Sequence, residues 1–228
     1  MDAHGTLIYL DRVFERVQAR LRELGPDLPL ADVTHATRRE FAHYTANSHL
    51  ARDDTSLERL RAECGAVLLE GFHERGRVLT LTPRQAIGAL LDSLDFRLYP
   101  DALPALDALR NAGLRPGVIS NWDCTLPGIL RRLGLEERLG VVAVSSLAGH
   151  AKPDPALFRE ALRRAGAPPE AALHVGDSYE HDVLGARAAG VQAALLDRSG
   201  GPAPAADLTV ISSLAELVRL AGARRGHR

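Results

Sequence analysis

The chain has 228 residues, 46% of them hydrophobic and 25% charged, with a formal net charge of −1. That size suits one domain or a domain with an insert; no apolar run is long enough to cross a bilayer, and the lack of basic excess argues against nucleic acid as the main partner. The opening residues show no charged start followed by an apolar stretch, so no secretory signal is read and a cytoplasmic location is expected, with Cys64 and Cys124 as thiols rather than a disulfide or a metal pair.

From about 11 to about 95 the pattern is helical. Val13, Phe14, Val17, Leu21 and Leu24 share one face, and Gly25-Pro26 ends the segment. Asp32 or Thr34 can cap a second helix, and Leu57, Leu60, Val67 and Leu68 mark a third. Thr82-Pro83 is a hydroxyl cap followed by a proline whose missing N–H costs nothing there. No strand is read in this block. It is taken as a helical insert over 13–95, with residues 1–12 and 96–228 forming the core.

After Tyr99-Pro100 the rhythm becomes helix, glycine, strand. Helices are expected over 103–111, 126–133, 155–164, 182–189 and 213–221. Short apolar strands fall at 116–119, 141–144, 172–175, 191–196 and 208–211. Alternation at these lengths implies right-handed crossovers and a parallel sheet. Almost wholly apolar strands imply that both faces are covered. The fold class is α/β, a doubly wound parallel sheet with a helical insert near the N-terminus. The tail, from Ala223 to Arg228, is polar and reads as frayed.

Four sites sit at or past strand ends or in loops: Asp2, Ser120-Asn121, Lys152-Pro153, and Asp177 with Asp182. Strand ends of open α/β sheets leave the crevices where ligands bind. Each site alone has an ordinary reading: terminal decoration, a turn, a solvated lysine, acids at a helix N-terminus. Together they supply a carboxylate nucleophile, a hydroxyl donor, a fixed cation and an acidic pair. Phosphoryl transfer needs that set. Two carboxylates sharing a crevice repel unless a cation separates them, and a hard divalent ion such as Mg²⁺ suits oxygen ligands.

The motifs are Asp2-Ala3-His4-Gly5-Thr6-Leu7, Val118-Ile119-Ser120-Asn121, Ala151-Lys152-Pro153-Asp154-Pro155, and Gly176-Asp177-Ser178 through Asp182. In this order and spacing the chain resembles the haloacid dehalogenase superfamily of hydrolases, mostly phosphatases. The helical block lies where that family carries a cap. The resemblance implies that Asp2 attacks phosphorus to form an aspartyl-phosphate. It implies that Ser120, with a nearby backbone amide and Asn121, holds the phosphate, and that Lys152 neutralises the phosphoryl group and Asp2. Asp2, Asp177, Asp182 and the main-chain carbonyl of His4 are the implied Mg²⁺ ligands. The implied substrate is a small phosphorylated metabolite. The insert is expected to act as a lid, with Arg38, Arg39, His43, Tyr44 and His49 as candidate substrate contacts.

Two departures qualify the resemblance. The family's phosphatases place an acid/base aspartate two residues after the nucleophile; here that residue is His4. Imidazole does acid/base work near neutrality, and a slow phosphatase favouring good leaving groups is expected. Only Met1 precedes Asp2, so the family's first core strand is missing. The expectation is that the strands at 118–119 and 173–175 flank a gap or collapse together, with Asp2 poorly anchored. A fold that binds phosphate without turnover, and a metal-free 2-haloacid dehalogenase, are the alternative readings. Asp177 after Gly176 tilts the choice to phosphate.

Overall fold

A computed structural model describes residues 1–201, 203 and 205–223, with backbone alone for 221–223. The chain forms two compact units, one of residues 1–9 and 98–228 and one of residues 10–97. Their boundaries fall within two three-residue strands that pair with each other, β1 (Ile8–Leu10) and β2 (Phe96–Leu98).

The unit of residues 10–97 is helical. It holds α1 (Val13–Glu23), α2 (Leu30–Asn47), α3 (Asp54–Glu74) and α4 (Pro83–Asp92). Local chemistry sets two of the starts. Thr82 and Gln85 form a reciprocal capping box ahead of α4, with Pro83 in the first turn. Asp53 and Ser56 do the same for α3. The start of α2 differs from expectation: it begins at Leu30 after Pro29, and Asp32 is not its cap. The Asp32 carboxylate instead accepts from Arg75 at 3.1 Å and Arg77 at 2.8 Å. Helices α2 and α3 approach closely at Gly71, where an added Cβ would lie 2.7 Å from Ala36 Cα. Buried Val33, Leu57, Leu60, Leu68 and Phe72 make the core of this unit.

The other unit contains α5 (Ala102–Asn111), β3 (Gly117–Ser120), α6 (Leu126–Arg132), β4 (Val141–Val144), α7 (Ser145–Ala148) and α8 (Pro155–Ala165). After these come β5 (Leu173–Gly176), a π-helical turn (Tyr179–Leu184), α9 (Gly185–Ala188), β6 (Gln192–Leu196), β7 (Thr209–Ile211) and α10 (Leu217–Ala223). Every pairing among β3 to β7 is parallel: β3 with β4, β5 with β6, and β6 with β7. Helix α8 ends at Gly166, whose φ of 59° is the left-handed conformation that glycine adopts without strain. Phe158, Val183, Ala186, Val191, Ala193 and Leu195 form one core cluster. No described helix is long and apolar enough to cross a membrane. The tail 224–228 lies outside the described residues.

The parallel sheet comes in two pieces, since β3 and β5 do not pair. Two residues join them. Met1 N donates to Gly117 O at 2.9 Å and Met1 O accepts from Ile119 N at 2.9 Å. Asp2 N then donates to Val175 O at 2.8 Å. Asp2 is therefore held firmly, against the expectation of a poorly anchored nucleophile. Main-chain groups at a sheet centre are costly to leave unpaired, and even two residues can satisfy some on both sides. Behind them lies a cavity of about 160 Å³ lined by Val118, Phe158, Leu173 and His174 among others.

Candidate active site

Ser120 ends β3 and Gly176 ends β5, and Asp2 lies between these strands on the Met1-Asp2 link. Lys152 reaches in from the loop ahead of α8. Its Nζ lies 2.7 Å from Asp2 Oδ1 and 2.6 Å from Asp182 Oδ1. Ser120 Oγ donates to the same Asp2 oxygen at 2.8 Å. Both donors fall on Oδ1. Residues far apart in the chain thus converge on one carboxylate.

Asp177 and Asp182 arrive by different routes. Asp177 follows Gly176 at the strand end, where solvent reaches it. Gly5 makes room for it: at φ 77°, a Cβ there would lie 2.2 Å from Asp177 Oδ2. Asp182 lies five positions on, a spacing that an ordinary α-turn would rotate away. The π-helical turn has a wider hydrogen-bonded loop and returns the carboxylate to the strand. Asp182 is buried, and Ser178 N donates to its Oδ2 at 3.1 Å.

Ligand oxygens of Asp2, Asp177 and Asp182 lie within 4.8 Å of one another. Three carboxylates meet one lysine, and the electrostatics follow. Crowding by protein, then the charges of Asp2 and Asp182, push the Asp177 carboxyl up to about 6. Burial alone would raise Asp182, but Lys152 and His174 hold it well below the usual carboxylate range. Burial would likewise lower Lys152; Asp2 and Asp182 outweigh that and raise it. A group of oxygens with excess negative charge fits a hard divalent cation.

His4 is exposed, with its ring 6.4 Å from that of Trp122, and desolvation lowers its pKa against the pull of Asp2. Asn121, expected among the substrate contacts, has its carboxamide on main chain: Nδ2 donates to Lys152 O at 2.9 Å and Oδ1 accepts from Lys152 N at 2.7 Å, which ties the Lys152 backbone to the end of β3. Ser145 Oγ clasps Trp122 similarly, accepting from its N at 3.0 Å and donating to its O at 3.1 Å. Within the helical unit, Arg39 pairs with Glu70 and Glu74, His43 lies 3.6 Å from Glu63, and Arg38 stacks over Phe14. Sequence reasoning missed His174, whose partnership with Asp182 is a tertiary contact; its place three residues before Asp177 was the available signal.

The model of the haloacid dehalogenase-like hydrolases matches residues 1–190. The haloacid dehalogenase-like hydrolase domain-containing protein 3 of Mus musculus is 35% identical over 207 residues, 86% of this chain and 79% of the relative. The phosphoserine phosphatase of Thermus thermophilus is 33% identical over 198 residues, 83% of this chain and 77% of the relative. The Danio rerio and Homo sapiens counterparts of the mouse protein match over 52% and 53% of their lengths, so the chain spans about half of these relatives. Among solved structures, a 2-haloacid dehalogenase from Pseudomonas syringae pv. Tomato DC3000 aligns with TM-score 0.66 and 27% identity, covering 98% of this chain and 96% of that one. On these matches and this fold, the chain belongs to the haloacid dehalogenase-like hydrolase family.

Proposed function

We propose that the protein is a phosphatase acting on a small phosphorylated metabolite through an aspartyl-phosphate, with Mg²⁺ as its cofactor. The carrying observation is Lys152 Nζ between Asp2 and Asp182, with Ser120 on the same Asp2 oxygen and Asp177 beside them. Asp2, Asp177 and the His4 carbonyl, with Asp182 beside or behind them, would hold the cation. Bound there, it would neutralise charge on the phosphoryl oxygens.

Asp2 attacks phosphorus as the bond to the leaving oxygen breaks, and the phosphoryl group moves to the carboxylate. Lys152 and Ser120 hold Oδ1, which leaves Oδ2 to face phosphorus. The same lysine and hydroxyl stabilise charge on the transferring group without reorganising. His4 gives a proton to the leaving oxygen and later takes one from the water that hydrolyses the acyl-phosphate. Imidazole in that role favours substrates whose leaving groups need little protonation. The Thermus thermophilus relative named a phosphoserine phosphatase supports the substrate class.

Release of p-nitrophenol from p-nitrophenyl phosphate tests the reading. Turnover should require Mg²⁺ and vanish with EDTA or in Asp2→Asn. The structural likeness to a 2-haloacid dehalogenase supplies the rival: halide release from 2-chloropropionate, unaffected by EDTA and without phosphate turnover, would replace this reading. Vanadate binding without either turnover would mark a binding protein.

A further inference from the structure

One buried titratable side chain beside the site has no part in that chemistry. His174 stands on β5 two residues before Gly176, and so on the same face of the strand. It is 2% exposed, and its Nε2 lies 2.9 Å from Asp182 Oδ1. Phe158 meets the ring edge-on, with centroids 5.0 Å apart and planes at 84°, which restrains the plane of the imidazole. Nδ1 is buried without a hydrogen-bond partner among the described residues. An ionised carboxylate only accepts, so the hydrogen shared by the pair belongs to Nε2. A further hydrogen on Nδ1 would bury an unpaired donor and a charge, at high cost. His174 is the neutral tautomer that donates through Nε2.

Gly176 completes the seat. A Cβ at Gly176 would lie 2.0 Å from Asp182 Cγ, so the carboxylate occupies the space a side chain would fill. Asp182 then receives Lys152 and His174 on Oδ1 and the Ser178 amide on Oδ2. Three donors use most of a carboxylate's roughly four acceptor positions.

We propose that His174 is a positioning residue: with Gly176 it seats Asp182 as the counter-ion that aims Lys152 at Asp2, leaving Asp2 and Asp177 as the carboxylates that face the cation. The proposal rests on the phosphoryl-transfer reading of the same site. His174 touches neither substrate nor reacting atoms and acts through Asp182 and Lys152.

The test compares wild type with His174→Phe, which keeps a ring and removes the donor, and His174→Gln, whose amide can restore it. The Phe variant should lower both kcat on p-nitrophenyl phosphate and vanadate affinity by about 10–100-fold, the usual effect of losing an outer partner. The Gln variant should recover to within about threefold of wild type, while Mg²⁺ affinity by calorimetry changes less than about threefold in both. Equal loss in Phe and Gln variants, or Mg²⁺ affinity falling in step with kcat, overturns the proposal. A wild type that neither turns over nor binds vanadate sinks the phosphoryl-transfer reading instead. Long-range ¹⁵N spectra of the wild type need no variant to fold: they should report the Nε2–H tautomer, and an Nδ1–H tautomer refutes the seat.

Discussion

Lys152 is 5% exposed and lies between two carboxylates. Replacing it with methionine removes their shared cation and leaves Asp2 and Asp182 facing each other. Breaking a buried pair in this way costs about 3–5 kcal/mol, so Lys152→Met should show that loss in urea denaturation. Its turnover of p-nitrophenyl phosphate should fall by at least about 100-fold, as expected when a charge-stabilising donor is removed. His4→Asp makes the opposite prediction. A carboxyl in place of the imidazole should raise kcat on an alkyl phosphate by at least about tenfold, within the span of general acid catalysis. No gain on the alkyl ester, with p-nitrophenyl phosphate unchanged, would show that His4 takes no part in proton transfer. Ser120 and Asp177 were legible in the sequence because each sits in a motif at a strand end, and Lys152 because its motif leads into the start of α8. The work of Asn121 was not, since its partner lies 31 residues away and a carboxamide reads equally as a turn residue.

Among the elements, α2 carries a feature that sets the response to pH. Glu40 is 3% exposed, its Oε2 has no hydrogen-bond partner among the described residues, and burial pushes its carboxyl up to about 7 against a contact with Cys64 of α3. One turn on, His43 lies 3.6 Å from Glu63. The folded form therefore binds a proton that the unfolded chain has released between its ordinary 4.5 and about 7. Stability contributed by Glu40 is whole below the lower value and falls as pH rises to the upper one, by about 3 kcal/mol at most. Glu40→Gln should flatten the denaturation midpoint over that window; an unchanged slope would refute the assignment. Thr82→Ala should cost about 1 kcal/mol through its lost cap on α4. This cap was legible because a hydroxyl followed at once by proline marks a helix start, whereas the Asp53 box ahead of α3 was not read. The strands β1 and β2, of three residues each, carry no periodicity to read. The π-helical turn was likewise hidden: the local pattern there favours an ordinary helix, and the seat for Asp182 on β5 is a tertiary fact.

At the scale of the molecule, the alternation of helices and apolar strands made the parallel α/β core legible. The joint between β3 and β5 was not, because a two-residue link offers no strand pattern. If that joint makes one cooperative sheet, the Ile119 amide bound to Met1 O should exchange with solvent as slowly as the amides between β3 and β4. Fast exchange at Ile119 alone would mean the two pieces open separately. The joint also has a mechanical outcome. Met1 lines the space shared with Val118, Phe158 and Leu173, and its nitrogen donates to Gly117 O. Because the same two-residue link carries Asp2, any strain placed on Met1 reaches the Asp2 carboxylate directly.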